Sequence, residues 1–405
     1  MSFSRPSQPR DKSDISTALL TIFFLFGFGI MAWIPRFPEI KANLHLSNGQ
    51  FGSLISTGAL GGIISLFTIG HVVNHLGTHK ILLVGTFTVF PSLAIVVHLQ
   101  SPLAFLIANL VIGFTIAAFH ISITAQSLHE QERISKLLLP KATGMWAAGA
   151  VTTIILSGFL TTRASLAWHI TILEIFTMAC MLILVRRISP FTVGPATDRE
   201  GFKETLKGIK DFEINWPLSV GMIMAIQLEF SLADWGAIFA KEDLGVPLGL
   251  IAIPYLLFLL SMIFGRLTFH NLIERYSIKS MMQLGGIVGG GGFVIGVLLS
   301  YYLQEKSSLA ALVIASIGFA MAGLGSSFMA PIFLNAAKNQ SRRPPSVVIG
   351  QLGVVNNAMA FTVKALIAWV AQWFSLPIAL VIPGIMLMCV GFFIPQTNSH
   401  TRIIH

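Results

Sequence analysis

Twelve apolar runs, each long enough to cross a lipid bilayer as a helix, constrain this sequence more than any other feature. About 20 apolar residues span the hydrocarbon core. The runs lie at about 16–36, 50–72, 80–99, 103–127, 142–162, 166–185, 217–240, 247–268, 280–302, 308–336, 347–370 and 376–395. Charged residues make up only 11% of the chain, against roughly 25% in a soluble domain. The sequence therefore predicts an all-α integral membrane protein with twelve transmembrane helices.

A polar segment divides the runs into two sets of six. Residues 186–215 contain Pro190, Pro195 and a charged stretch. We interpret them as a cytoplasmic linker between an N-terminal six-helix bundle (1–185) and a C-terminal six-helix bundle (216–405). A short polar turn follows the second run, and a similar turn follows the eighth run about 200 residues later. Duplication of a six-helix unit indicates a carrier whose two halves move against each other.

The distribution of Lys and Arg predicts the orientation. With the N-terminus inside, twenty of the 26 basic residues fall on the cytoplasmic side, five fall outside, and Lys364 lies within a span. Cytoplasmic segments of membrane proteins are enriched in these residues. We therefore expect a multi-pass protein of the cytoplasmic (plasma or inner) membrane with both termini in the cytoplasm. The net charge of +9 reflects this bias and not affinity for nucleic acid.

Together, these features resemble the major facilitator superfamily. The turn after the second run is similar to the family pattern Gly-x-x-x-Asp-Arg-x-Gly, although Asn74 and His75 replace the acidic and the basic residue. The second copy keeps Glu274 and Arg275 at those places. The resemblance implies two pseudo-symmetric six-helix bundles and a cytoplasmic gate that involves Asn74, Glu274 and Arg275.

Two shorter stretches resemble, more loosely, the fucose-permease-like branch of that superfamily. They are Trp33-Ile-Pro35 at the end of the first span and Ala233-Asp234-Trp235 in the seventh. Sugar–proton symporters of that branch are expected to use acids in spans one and four. The first span reads Phe26-Gly-Phe-Gly-Ile-Met-Ala-Trp33, and the fourth offers only His120. That mechanism is therefore not transferred to this sequence.

Two carboxyl groups lie inside one apolar run, Gln227-Leu-Glu229-Phe-Ser-Leu-Ala-Asp234-Trp235. An acid at bilayer depth is costly, so it is retained only where protein or water surrounds it. Glu229 lies about 20 Å along the helix from Trp216. We predict that Glu229 is a proton-coupling site. The alternative is a protonated structural acid that is hydrogen-bonded to Gln227 or to a neighbouring helix.

Two further ionisable groups are candidates for coupling or gating. Asp234 and Lys364 lie at about the same depth, roughly 27 and 26 Å from the inner ends of their spans. We predict an ion pair between them at an outer gate, unless Lys364 extends to the interface and Asp234 meets water. His120 is a second proton-coupling candidate because histidine titrates near neutrality. A neutral histidine bonded to a backbone carbonyl is the competing interpretation.

Amide and aromatic side chains within the spans are the candidates for contact with a solute. Amides hydrogen-bond polar solutes but also join helices to one another. Tryptophan stacks on a sugar ring, although anchoring at the membrane interface is the competing explanation for Trp33. The predicted substrate-binding residues are Gln227, Trp235, Asn356, Asn357, Gln351, Trp33 and Trp146.

The sequence favours a secondary active transporter that moves a small solute by alternating access. Proton coupling and a polar, sugar-like solute fit the buried acids and amides best. The alternatives are a proton-driven exporter of apolar compounds and, more remotely, a non-transporting receptor or assembly factor on a carrier scaffold. We expect a monomer in the lipid bilayer whose partners are its substrate and protons, with no nucleic acid, no cofactor, no metal and no enzyme activity.

Overall fold

The regular structure is helical throughout the described part of the chain. A computed structural model describes residues 12–135, 137–194, 214–273, 276–340 and 345–396. The first half holds α1 (Lys12–Ile30), α2 (Phe37–Asn43), α3 (Asn48–Leu76), α4 (Thr78–Val96), α5 (Pro102–Ile134), α6 (Leu139–Leu160) and α7 (Leu166–Ile188). The second half holds α8 (Trp216–Ile238), α9 (Ile253–Ile273), α10 (Ile278–Leu303), α11 (Ser308–Ser326), α12 (Met329–Gln340), α13 (Pro345–Trp373) and α14 (Leu376–Cys389). Within these ranges, twelve stretches are long and apolar enough to cross a membrane. The predicted number of spans is confirmed.

Local sequence signals fix where several helices begin. The Ser47 side chain accepts from the backbone of Gln50, and the Gln50 side chain accepts from the backbone of Ser47, which closes the first turn of α3. The Asn215 side chain accepts from the backbone N–H of Leu218 at the start of α8. Pro217 lies in that first turn, where its missing N–H costs nothing. These signals fix the residue at which α8 begins, and the depth of Glu229 in the membrane follows from that starting point.

Three of the spans are not continuous α-helices, although each is a single apolar run in the sequence. The first span leaves the α-helix after Ile30 and continues through a 3₁₀ turn, Ile34–Arg36, into α2. The seventh ends in a π-helical segment, Phe239–Asp243. The tenth breaks between α11 and α12. Pro331 causes that break because it has no N–H for the carbonyl of Ser327, four residues earlier.

The same helix pairs pack together in both halves. In the first half, α3 packs on α5, α1 on α6 and α4 on α7. Their counterparts in the second half are α9 on α11, α8 on α13 and α10 on α14. Glycines allow the closest approaches, since a Cβ on Gly113 of α5 would overlap the backbone of Gly58 of α3. Small residues at helix interfaces are the usual means of close packing in membranes.

The most extensive contact between the halves, among the described residues, is that of α3 with α13, which extends inward as far as Leu66 and Gly353, whereas the other contacts lie at one end of the bundle. Following the predicted orientation, we call the end that carries residues 37–47 and 239–252 the outer end. There α2 contacts α8, and α6 contacts α9. Gly52 of α3 lies against Ala368 of α13 and the ring of Trp235, and Gly158 lies against Ala252. The protein is therefore closed on its outer side.

Candidate functional site

Glu229 lies in the middle of α8. Its side chain is partly exposed, and its carboxyl group has no hydrogen-bond or ion-pair partner within the described ranges. Gln227 is fully buried and donates instead to the Ser231 hydroxyl oxygen at 3.3 Å. The alternative bond between Gln227 and Glu229 is therefore not formed, and Glu229 keeps both carboxyl oxygens available.

Two residues of α9 lie within electrostatic reach of Glu229. The Arg266 guanidinium is close enough for its charge to act on the Glu229 carboxyl group. The buried hydroxyl group of Tyr255 is close enough to sense both Glu229 and Asp234. The acidic stretch of α8 thus faces a basic and a phenolic group from the neighbouring helix.

Arg266 is a site residue that the sequence pattern does not reveal. The charge distribution groups it with the cytoplasmic basic residues, but it lies inside the Leu248–Thr268 span. Its Nε donates at 3.1 Å to the Ser327 carbonyl, which Pro331 leaves without a helical partner. The signal that could have found it is an arginine within the eighth span combined with a proline within the tenth.

Asp234 and Lys364 meet as their depths predict. Lys364 Nζ lies 2.8 Å from Asp234 Oδ2, and both side chains are mostly buried. The ammonium group also lies 5.4 Å from the centre of the Phe230 ring. Both partners belong to the second half, so the pair joins α8 to α13 and does not bridge the two halves. A role in gating stays a prediction.

Trp33 and Trp235, two predicted substrate-binding residues, are buried in the outer closure. Trp33 packs edge-on against Phe37, with ring centres 4.9 Å apart, and Phe37 packs edge-on against Phe51. Phe51 in turn packs edge-on against Trp235 of the second half at 6.2 Å. This chain of rings seals the outer end. In this conformation neither indole ring is free to contact a solute.

An ion pair also crosses between the halves at the outer end. Lys41 of α2 lies 2.5 Å from Glu242, in the π-helical segment that ends the seventh span. Asp243 is close enough for its carboxyl group to sense both charges. The pair was not predicted, because Lys41 and Glu242 are 201 residues apart and lie near loops that carry no motif.

His120 lies on the inner part of α5 with an exposed side chain. Its ring stacks on Phe26 of α1, with ring centres 6.2 Å apart. At 100° per residue, His120 lies about 20° around the helix from Asn109, and Asn109 donates to the Leu54 and Ile55 carbonyls of α3. The face of α5 that packs on α3 near Asn109 is therefore exposed farther inward, at His120.

The remaining predicted substrate-binding residues are spread along α13 and α6. Asn356 is buried, and both amide atoms lack a partner within the described ranges. Asn357 donates to the Gly353 carbonyl at 2.8 Å and leaves its oxygen beside Gly62 of α3. Gln351 and Trp146 are partly exposed, Gln351 on α13 and Trp146 on α6.

The predicted cytoplasmic gate falls largely outside the described residues. Glu274 and Arg275 lie between the ranges 214–273 and 276–340. Asn74 belongs to α3, but its side chain is likewise outside the description. The gating role of these three residues stays a prediction.

A buried polar cluster around the broken first span escaped the sequence patterns. Arg36 is fully buried and donates from Nη1 to His169 Nδ1 at 3.1 Å and from Nη2 to the Ala164 carbonyl at 3.0 Å. It also pairs with Glu39. Ser157 donates to the Ala32 carbonyl at 2.7 Å. The cluster fixes the outer end of the first span to α6, α7 and the turn between them.

Comparisons with known proteins agree with this arrangement. The sequence profile of the Major Facilitator Superfamily matches residues 19–363. An uncharacterised MFS-type transporter of Yersinia pestis is 23% identical over 95% of both chains. The membrane protein MosC of Rhizobium meliloti is 19% identical over 95% of this chain and 91% of its own.

Solved structures of low sequence identity share the fold. The nucleoside transporter NupG is 13% identical, has a TM-score of 0.71, and covers 95% of this chain and 100% of its own. A D-xylose–proton symporter is 15% identical, has a TM-score of 0.68, and covers 96% and 99%. At these sequence identities the similarity shows the fold alone.

The matched profile and the named relatives define a membrane transporter and not an enzyme. Because the profile match covers most of the chain, the protein belongs to the Major Facilitator Superfamily. The narrower resemblance to the fucose-permease-like branch stays a prediction.

Proposed function

We propose that the protein is a proton-coupled secondary transporter that carries a small polar solute across the cytoplasmic membrane by alternating access. In this proposal one copy of the chain is the complete transport unit. Both termini lie in the cytoplasm, so the sealed outer end faces away from the cell interior.

The observation that carries the proposal is the unpaired carboxyl group of Glu229. It is partly exposed in the middle of α8 and has no bonded partner within the described ranges. An ionised carboxyl group that forms no ion pair is costly in a low-dielectric surrounding, and the Arg266 guanidinium acts on Glu229 only from a distance. Taking up a proton removes that cost. Glu229 is therefore suited to exchange a proton with water when the site is open and to hold it when the site closes.

The closed outer end supports an inward-facing state of the cycle. The chain of aromatic rings from Trp33 to Trp235 and the Lys41–Glu242 pair seal that end. His120 and Arg266 are exposed at the inner part of their helices. In the opposite state the outer contacts separate and the inner helix ends meet.

A polar solute fits the groups that remain available. His120 and Asn357 are exposed or partly exposed on α5 and α13, and Asn356 carries an amide group that has no partner among the described residues. The structural neighbours NupG and the D-xylose–proton symporter are named for polar solutes, a nucleoside and a sugar. These names support the solute class proposed for this chain.

An apolar groove favours a second candidate function, the export of apolar compounds. The groove lies between α10 and α11, has a volume of about 460 Å³, and is lined by residues that include Leu284, Val288, Met321 and Phe328. A compound dissolved in the bilayer could lodge there before transfer. This candidate uses the same proton site but reverses the direction of solute movement relative to protons.

Solute-driven proton movement in proteoliposomes tests the proposal. Addition of the transported solute outside should make the outside medium alkaline, because the solute enters together with protons. An exporter that exchanges its compound for protons would acidify the outside medium when the compound is added there. A panel of sugars, nucleosides and apolar drugs identifies the solute through this signal.

The decisive variant is Glu229→Gln, with Glu305→Gln as its control because Glu305 is exposed at the outer end. We expect the solute-driven proton flux of Glu229→Gln to be at least about tenfold lower than that of the native protein, since an amide does not take up a proton in the pH range of the assay. Exchange of labelled solute across the membrane should persist. Unchanged proton flux in Glu229→Gln would rule out Glu229 as the coupling group.

A further inference from the structure

The position of Arg266 on α9 indicates what its charge faces. At 100° per residue, Arg266 lies within about 40° of Tyr255, Leu259 and Met262 around the helix. Those three side chains are buried, whereas Arg266, at the inner part of the same face, is exposed. The face that is packed at the outer end thus opens at Arg266. Ala252, directly before the start of α9 and about 40° from Arg266 around the helix axis, lies against Gly158 of the first half, and we infer from this that the guanidinium group faces the space between the halves.

Only part of the Arg266 guanidinium group is occupied. Nε donates to the Ser327 carbonyl, and Nη2 has a contact of 3.4 Å to the thioether sulfur of Met262. Sulfur is a weak acceptor. No carboxylate lies within ion-pair distance of Arg266 in the described ranges. The bond to Ser327 holds the group in one orientation, and the edge formed by Nη1 and Nη2 has no oxygen partner among the described residues.

From this geometry we propose that Arg266 is the anion-binding group of the transport site and that the solute carries a carboxylate or phosphate group. A guanidinium edge with two adjacent N–H groups matches two oxygens of such an anion. The partly exposed polar groups His120 and Asn357 would contact the uncharged part of the solute. This inference rests on the proposed transport function and narrows its solute class.

Glu229 gives the anion site a link to the proton. The ionised Glu229 carboxylate lies within electrostatic reach of Arg266 and competes with the solute for its charge. When Glu229 takes up a proton, Arg266 is released to hold the anion. With a singly charged anion bound, the occupied site has no net charge, because it contains one positive guanidinium group, one negative anion and one neutral acid. A site without net charge is less costly to enclose than a charged one.

A purely structural role of Arg266 makes a different prediction. If Arg266 only donates to the Ser327 carbonyl, its charge would not make anions approach the site faster than cations. The two roles separate when the local potential is measured directly, because that measurement requires neither a known solute nor turnover. Failure of this test would leave the proposed transport function untouched.

Labelling of a cysteine at position 263 measures that potential. Ile263 is partly exposed and lies one turn from Arg266, and Ile263→Cys is made in the full chain after Cys180→Ser and Cys389→Ser. The probes are 2-sulfonatoethyl methanethiosulfonate, which is an anion, and its trimethylammonium counterpart, which is a cation. The measured quantity is the labelling rate with the anionic reagent divided by the rate with the cationic reagent. We expect this ratio at position 263 to exceed the same ratio for free glutathione in solution by about tenfold or more, because one positive charge lies within a few ångströms.

The matched variants decide between the roles. Arg266→Gln should bring the ratio close to that of glutathione, Arg266→Lys should keep most of it, and Arg186→Gln, at an exposed arginine on the inner end of α7, should leave it unchanged. A ratio at position 263 no higher than that of glutathione would overturn the proposal even if Arg266→Gln failed to fold. So would a high ratio that Arg266→Gln left intact. Glucuronate, and not glucose, should slow the reaction of the anionic reagent with the cysteine at position 263, because glucuronate would occupy Arg266.

Discussion

Lys41 and Glu242 form an ion pair of 2.5 Å between the first and the second half of the protein. Lys41 belongs to α2, the short helix that continues the broken first span, and Glu242 to the π-helical end of the seventh span. The Asp234–Lys364 pair, by contrast, lies entirely in the second half. Lys41 and Glu242 are therefore the charges that must separate when the outer end opens.

Reversal of either charge should loosen the outer closure. A partly exposed ion pair contributes about 0.2–1 kcal/mol, and Lys41→Glu or Glu242→Lys replaces that attraction with repulsion. We expect a cysteine at Ser56, which is buried beneath the closure, to react about two- to tenfold faster with an impermeant maleimide added from outside. The measurement is the labelling rate in whole cells.

The double reversal provides the control. Lys41→Glu combined with Glu242→Lys restores opposite charges and should return the rate at position 56 to near its original value. Glu305→Lys, at an exposed outer position, should change nothing. Equal labelling in single and double variants would show that the pair does not hold the outer end closed.

Removing one partner of the Asp234–Lys364 pair should destabilise the protein strongly. Both side chains are mostly buried, so Asp234→Asn or Lys364→Gln leaves one charge without compensation. Loss of one partner in a buried pair costs about 3–5 kcal/mol. The apparent unfolding temperature of the purified protein should fall by at least about 5 °C, as measured by size-exclusion chromatography after heating.

Replacing both partners of that pair by apolar residues distinguishes a missing bond from an unpaired charge. Asp234→Leu combined with Lys364→Met should recover most of the lost stability, because no buried charge remains. Lys306→Gln, at an exposed lysine on the outer side, should have little effect. If the double variant is as unstable as the single ones, the pair matters through its shape and not through its charge.

The twelve spans could be predicted because a helix in lipid must satisfy its backbone internally and must be about 20 residues long. The breaks within spans could not. Pro91 and Pro383 lie inside continuous helices, whereas Pro331 breaks the tenth span. At that break, Arg266 of another helix donates to the freed Ser327 carbonyl. A contact between distant helices has no local signature.

In the candidate site, the depth of a residue in the membrane could likewise be predicted from the sequence, whereas its contacts with other helices could not. Counting residues gives depth, so the meeting of Asp234 and Lys364 could be anticipated. Counting does not give the state of the transport cycle. Trp33 and Trp235 look like solute contacts in sequence, but in this conformation they pack into the outer closure. Their exposure depends on how the two halves are placed, which no single span encodes.

Close packing of α3 on α5 depends on Gly113. A Cβ at this position would overlap the backbone of Gly58, so Gly113→Ala must push the two helices apart. Overpacking of this kind costs about 1–3 kcal/mol. Gly144→Ala is the matched control, because nothing lies within 4 Å of its Cβ position. Heating should inactivate Gly113→Ala at a lower temperature than the native protein, and Gly144→Ala at the same temperature or a higher one.

Arg36 should not tolerate replacement by lysine even though the charge is kept. Its Nη1 donates to His169 and its Nη2 donates to Ala164 and Glu39, whereas a lysine has a single nitrogen on a flexible four-carbon stem. At least one buried acceptor is then unsatisfied, which costs about 1–3 kcal/mol. Arg36→Lys should therefore lower the apparent unfolding temperature, and Arg163→Lys, at an exposed arginine in the same outer turn, should not. Equal unfolding temperatures for the two variants would show that charge alone holds the first span in place.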